Sequence, residues 1–153
     1  MDLILWRHAE AEEGFPDHSR ALTAKGERQA EKMAQFLRPH LPSDARILVS
    51  PALRTRQTVA KLTDHFTLAP TIATGASMQA VLQAARWPEA GDTVLVVGHQ
   101  PTLGAVVAHL LGCKEEAFSI KKGSLWWFNR RERNGVVQNT LRLAITTDFL
   151  TMD

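Results

Sequence analysis

Three short apolar runs that each end abruptly on polar or charged residues constrain the fold more than any other feature of the chain. Leu3-Ile4-Leu5-Trp6 stops at Arg7-His8, Arg46-Ile47-Leu48-Val49 at Ser50-Pro51, and Thr93-Val94-Leu95-Val96-Val97 at Gly98-His99. Apolar character that is unbroken, rather than alternating, is the pattern of strands covered on both faces. Between the first two runs, Thr23 is placed to cap a helix. Ala30, Met33, Ala34 and Leu37 then recur at i, i+3, i+4 and i+7 before Pro39 ends it. Strand, helix, strand in this order requires a crossover between parallel strands.

The remaining signals extend that unit. Ser50 as cap and Pro51 at the first helical position predict a second helix carrying Leu53, Gln57 and Ala60. Pro101 predicts another, running through Val106, Val107, Leu110 and Leu111 to Gly112, and Ser77 to Trp87 reads as a short helix. Ser124–Phe128 and Val136–Ile145 read as strands separated by polar Asn129–Gly135, which predicts an edge hairpin with Arg130-Arg131-Glu132-Arg133 in a solvated turn. With no repeat or linker, the expected architecture is α/β: one domain over 1–153, a three-layer α/β/α sandwich with a mostly parallel central sheet and a C-terminal edge hairpin.

Composition excludes several classes. At 153 residues and 44% hydrophobic content the chain buries a substantial core without metals or disulfides. A net charge of +2 with no block of one sign predicts no nucleic-acid or membrane partner. The longest apolar stretch, Leu103–Leu111, is interrupted by Gly104 and His109 and is too short to span a bilayer. A lone cysteine, Cys113, fits a reducing compartment, so a cytoplasmic location is expected. The histidines at 8, 18, 40, 65, 99 and 109 show no metal-ligand spacing, and neither metal nor other cofactor is expected.

In open α/β sheets, ligands bind just beyond the carboxyl ends of the strands. That rule selects Arg7 and His8 after the first run, Ser50 with Arg54 after the second, and His99 after the third. Singly, each reads as a capping or solvent-facing residue. Together they place two arginines and two histidines on one rim, beside two helix N-termini whose free N–H groups favour a phosphate.

Four linked motifs carry a resemblance: Arg7-His8-Ala9-Glu10-Ala11, Leu22-Thr23-Ala24-Lys25-Gly26, Ser50-Pro51-Ala52-Leu53-Arg54-Thr55-Arg56-Gln57-Thr58, and Gly98-His99. In order and spacing, residues 1–112 resemble the histidine phosphatase superfamily, the phosphoglycerate-mutase-like fold, and within it the SixA-type phosphohistidine phosphatases. The resemblance implies that His8 is the nucleophile that accepts the phosphoryl group, with Arg7, Arg54 and His99 around its oxygens. It also implies a further phosphate-binding position at Arg20. The residue chemistry agrees, because an unperturbed imidazole is mostly neutral at cytoplasmic pH and attacks phosphorus without a separate base. Guanidiniums neutralise the transferred oxygens without a metal.

Two departures bear on substrate. Ala9 stands where family members commonly carry glycine, and Thr71–Gln83, where many phosphomonoesterases of the superfamily hold an acidic proton donor, contains no Asp or Glu. An imidazole leaving group needs less protonation than an alkoxide, which favours phosphohistidine. For an ester, Glu10, Glu12 or Asp17 are the candidate general acids. Only about two dozen residues separate Ala69 from Thr93, too few for the helical lid of larger members, so the rim is expected to be open to a protein. The expected function is metal-independent dephosphorylation of phosphohistidine on a signalling or phosphotransfer protein through phospho-His8. A small-molecule phosphomonoesterase and a non-catalytic phosphate- or phosphoprotein-binding module are the alternatives. Trp126-Trp127 is expected to place at least one ring in the core, with a docking role open for the other, and the Arg130–Arg133 run is a second candidate partner contact.

Overall fold

A computed structural model of the chain describes residues 1–114 and 118–152. The elements follow the order β1 (Asp2–Arg7), α1 (Ala24–Leu37), β2 (Arg46–Val49), α2 (Leu53–Ala60), β3 (Thr67–Leu68), α3 (Met78–Ala85), β4 (Thr93–Gly98), α4 (Thr102–Leu110), β5 (Leu125–Arg133) and β6 (Val136–Ile145). One six-stranded sheet runs β3-β2-β4-β1-β5-β6.

The unbroken apolar runs are explained by burial on both faces. Leu3 and Leu5 of β1, with Val94 and Val96 of β4, pack against Val81, Leu103, Val106 and Val107 of α3 and α4. Their neighbours Ile4, Trp6, Leu95 and Val97 pack the other way, against Met33, Ala34 and Leu37 of α1 and Val59 of α2. The α/β/α layering therefore stands. The sheet itself is mixed: β1, β2, β3 and β4 pair in parallel, while β1–β5 and β5–β6 are antiparallel.

Thr23 caps α1 as expected, its Oγ1 accepting from Gly26 N at 2.9 Å. Ser77 caps α3 in the same way, accepting from Ala80 N at 3.0 Å. Pro101 holds the cap position of α4. Ser50, by contrast, does not cap α2. The helix starts at Leu53 with Ala52 in the cap position, because Ser50 continues the β2 ladder by donating its N–H to Val97 O at 3.1 Å. The two-residue β3 is too short to leave a periodic signal, and no strand was expected there.

The hairpin differs most from expectation. Its turn is only Asn134-Gly135, with φ of 49° and 77°, the left-handed pair that a two-residue primed turn requires. Arg130–Arg133 thus lies in β5, paired with Asn139–Val136 of β6, rather than in a turn. β1 pairs with β5 only as far as Asn129, and beyond it the two strands form a ribbon that needs no apolar face. The two tryptophans differ in burial. Trp127 is buried, donating Nε1–H to Asp2 Oδ2 at 2.8 Å, and half-buried Trp126 packs between Phe118 and Phe128.

Candidate functional site

Strand register assembles the site. Arg7 pairs with Gly98 and Val49 with Val97, so the next residues of β1, β4 and β2, namely His8, His99 and Ser50, emerge side by side at the carboxyl edge. His8 is tied into that edge through His8 N to Gly98 O (3.1 Å) and Gly123 N to His8 O (3.0 Å).

The His8 imidazole is buried, with Nδ1 2.7 Å from Ala9 O. A carbonyl only accepts, so Nδ1 carries the proton and Nε2 keeps its lone pair. Burial, together with the nearby positive charge of Arg54 and Arg7 and the His99 ring, pushes its pKa down to about 3 against the pull of the Ala9 bond. The ring is therefore neutral at any pH near 7. His99 lies 5.4 Å away between ring centres. Burial, then the Arg54 charge, lowers its pKa to about 4, with Asp17 opposing. Arg54 Nη2 lies 3.4 Å from His99 Nδ1, and a guanidinium only donates, which leaves His99 Nε2–H to donate to Ser50 Oγ at 2.6 Å.

Arg54, in the first turn of α2, is almost fully buried. It donates through Nη1 to Asp17 O at 2.9 Å, and through Nη2 to Asp17 Oδ2 and Thr74 Oγ1, both at 3.1 Å. Arg7 is half-buried and donates to Ile120 O at 2.6 Å. The Nε groups of both arginines are buried with no acceptor among the described residues.

The remaining candidates separate clearly. Arg20 pairs with Asp17 Oδ1 at 3.0 Å and donates to Glu12 O at 2.7 Å, so it reaches Arg54 through Asp17. Asp17 sits in a 3-10 turn, half exposed, and the hydrogen bonds from Arg20 and Arg54 hold its carboxyl below the ordinary range. Glu10 accepts from Thr23 Oγ1 at 2.8 Å, and Glu12 is exposed.

Several residues that hold this arrangement were not singled out from sequence. Thr58 Oγ1 accepts from Ala9 N at 3.0 Å, Gln57 Oε1 accepts from Leu22 N at 2.7 Å, and Thr55 Oγ1 donates to Ser50 O at 2.7 Å. Three polar side chains of α2 thereby fix the loops that bear His8, Arg20 and Ser50, and their clustering behind Arg54 was the available signal. Gly26 is equally structural. A β-carbon there would sit 1.9 Å from Glu10 O, so only glycine lets α1 abut the loop after His8. The methyl of Ala9, where glycine is common, packs with Ala11, Leu22 and Ala30.

Residues 3–76 match the model of the histidine phosphatase superfamily, branch 1. A Haemophilus influenzae protein named phosphohistidine phosphatase SixA homolog is 32% identical over 129 residues, covering 73% of this chain and 78% of that one. This chain belongs to the histidine phosphatase superfamily. The structure of the protein histidine phosphatase SixA complexed with tungstate superposes with a TM-score of 0.80 at 24% identity, over 97% of this chain and 99% of that one. Phosphoserine phosphatase from Entamoeba histolytica, solved with 3-phosphoglyceric acid, gives 0.70 at 19% identity, over 94% and 95%. At such identities both are likenesses of fold. Membership supports phosphatase chemistry and leaves the choice between phosphohistidine and a phosphate ester to the site. No helix among the described residues is long and apolar enough to cross a membrane.

Proposed function

We propose that the protein is a phosphatase that takes the phosphoryl group onto His8 Nε2, and that its substrate is phosphohistidine on another protein. The observation that carries this reading is the neutral, pre-oriented His8 ring, whose only free nitrogen is Nε2, beside Arg7 and Arg54 with unsatisfied buried Nε–H donors. Guanidinium donors held beside the nucleophile stabilise the charge of a transferred phosphoryl group.

In the first step the lone pair of His8 Nε2 forms a bond to phosphorus while the substrate N–P bond breaks. The departing ring keeps the bonding pair and, carrying a proton on its other nitrogen, leaves as neutral imidazole. No proton need be delivered to the breaking bond. Water then attacks phospho-His8, releasing inorganic phosphate and restoring the ring. Arg7 and Arg54 balance the charge of the transferred oxygens, with the neutral His99 ring holding Ser50 and Arg54 beside them and Arg20 acting through Asp17. The hydrogen bonds from Arg20 and Arg54 lower the pKa of Asp17 and keep it ionised near neutral pH, so it holds no proton to donate, which favours the leaving group that needs none. The name of the Haemophilus influenzae relative points the same way. A phosphate ester is the second reading, favoured by the Asp17 carboxylate that pairs with Arg54.

Rapid mixing with a histidine-phosphorylated protein, followed by intact-mass measurement, tests the mechanism. A transient mass increase of one phosphoryl group is expected, absent in His8→Ala, while that variant still binds inorganic phosphate. Wild-type rates in His8→Ala would rule out the covalent route. Faster turnover of simple esters than of phosphohistidine would establish the second reading.

A further inference from the structure

A second cavity opens on the flank of the rim, with Arg7 in its wall. Its volume is about 750 Å³, and it lies between α1 and the segments at 119–122 and 146–148. Six cationic side chains line it: Arg7, Lys25, Arg28, Lys32, Lys121 and Lys122. Against them stand two carboxylates, and both already have partners: Glu10 accepts from Thr23 Oγ1 and Asp148 from Thr146 Oγ1. Among the described residues, none of the five cations other than Arg7 forms an ion pair or a side-chain hydrogen bond.

The cations are ordered rather than scattered. Lys25, Arg28 and Lys32 occupy i, i+3 and i+7 of α1, a row about 10 Å long on one helix face. Lys121 and Lys122 face that row from the segment before β5. A row of this length exceeds what one phosphate or carboxylate engages and suits several acidic side chains. An adjoining pocket of about 500 Å³ shares Ser119, Lys121 and Thr146 with the cleft and is walled by Trp126, Ala144, Ile145 and Phe149. Phe149 is 79% exposed. An apolar pocket continuous with a basic cleft matches a protein surface, with anchors as well as charge, better than a small anion.

We propose that this cleft docks an acidic, apolar-anchored surface of the protein that carries the phosphohistidine, setting its phosphorylated ring against His8. The inference rests on the phosphohistidine-protein reading above and adds the means of recognition. A steering field of this kind acts on encounter and on KM and is screened by salt.

The test uses two probes: free phosphohistidine, and a histidine phosphotransfer domain phosphorylated on its histidine and acidic around it. The full-length chain is compared with a Lys25→Ala/Arg28→Ala/Lys32→Ala variant, with its charge-reversed Glu counterpart, and with Phe149→Ser. The α1 variants should lower kcat/KM on the domain by about tenfold or more, through KM, and flatten its salt dependence. Phe149→Ser should lower it without altering the salt dependence. All should leave kcat/KM on free phosphohistidine within about twofold, which also reports that the site is folded. Unchanged kcat/KM on the domain, or equal losses on both probes, overturns the docking cleft while the substrate reading stands. A wild-type enzyme that leaves the domain phosphorylated overturns both.

Discussion

The rim around His8 and the cleft beside it are both positively charged, yet they use charge in opposite ways. In the rim, His8, His99 and Arg54 are nearly inaccessible, and Arg54 is committed to Asp17, Thr74 and His99 within 3.4 Å. In the cleft, Lys25, Arg28, Lys121 and Lys122 are exposed and unpaired among the described residues. A buried cation acts through position, because its few hydrogen bonds are strong and unscreened. Exposed cations act through number, each contributing little and all of it sensitive to salt. The rim is thereby suited to chemistry on one phosphoryl group, and the cleft to recognising a surface.

The sharpest way to break this contrast is to remove Arg54. Arg54→Ala deletes a buried donor and leaves Asp17 beside the rim with Arg20 as its remaining cationic partner among the described residues. Its kcat/KM should fall by about 10²–10³, the usual cost of losing one oxyanion donor, on free phosphohistidine and on a phosphorylated protein alike. Single alanine substitutions in the cleft should act only on the protein substrate and far less. Measuring both substrates across both sets of variants checks this, and equal losses from Arg54→Ala and a cleft lysine would erase the distinction.

How far the sequence revealed these two regions follows the same division. His8, His99 and Arg7 were legible because each ends an apolar run, and strand register converts that position directly into adjacency. Thr23, Ala30, Met33 and Leu37 were legible because capping and helical spacing are local. Ser50 was misread as a cap because its partner, His99, is 49 residues away and no local pattern reports it. The Asp17–Arg54 pair, 37 residues apart, was hidden for the same reason. The Arg130–Arg133 segment was taken for a turn because an edge ribbon carries no burial signal, although Asn134-Gly135 marks the true turn. In the cleft, Lys25, Arg28 and Lys32 share one face of α1, but no local pattern reports that folding brings Lys121 opposite them.

Asp17 sharpens the comparison, since it is the one place where the rim borrows the looser logic of the surface. Its carboxylate, half exposed, pairs with both Arg54 and Arg20, so on the reading proposed above an incoming phosphate competes with it for them. Asp17→Asn keeps the shape and removes the charge. Inorganic phosphate should then bind a few-fold more tightly, a modest gain because the pair is partly solvated. Turnover of phosphohistidine should be retained, while loss of ester turnover alone would assign Asp17 the role of proton donor. Calorimetric titration with phosphate alongside both rate assays distinguishes the two.

The last expected effect is on stability rather than on rate or binding. In the folded protein His8 and His99 resist protonation down to about 3 and about 4, whereas in the unfolded chain both titrate near 6.5. Below pH 6.5 the unfolded state therefore binds more protons, and stability is lost as pH falls toward 4; above 6.5 both rings are neutral in both states and contribute no slope. Between pH 6.5 and about 5, where carboxylates remain mostly ionised in either state, unfolding should take up about one proton more than a chain without these histidines at the upper end, rising to nearly two at the lower. His99→Gln should remove about one of them. The cleft variants should leave the slope unchanged, because they leave both buried rings in place. Denaturant unfolding across the interval reads the slope directly, and a flat profile for the wild type would show that the two rings are not held neutral by burial, removing the physical basis for His8 as a ready nucleophile.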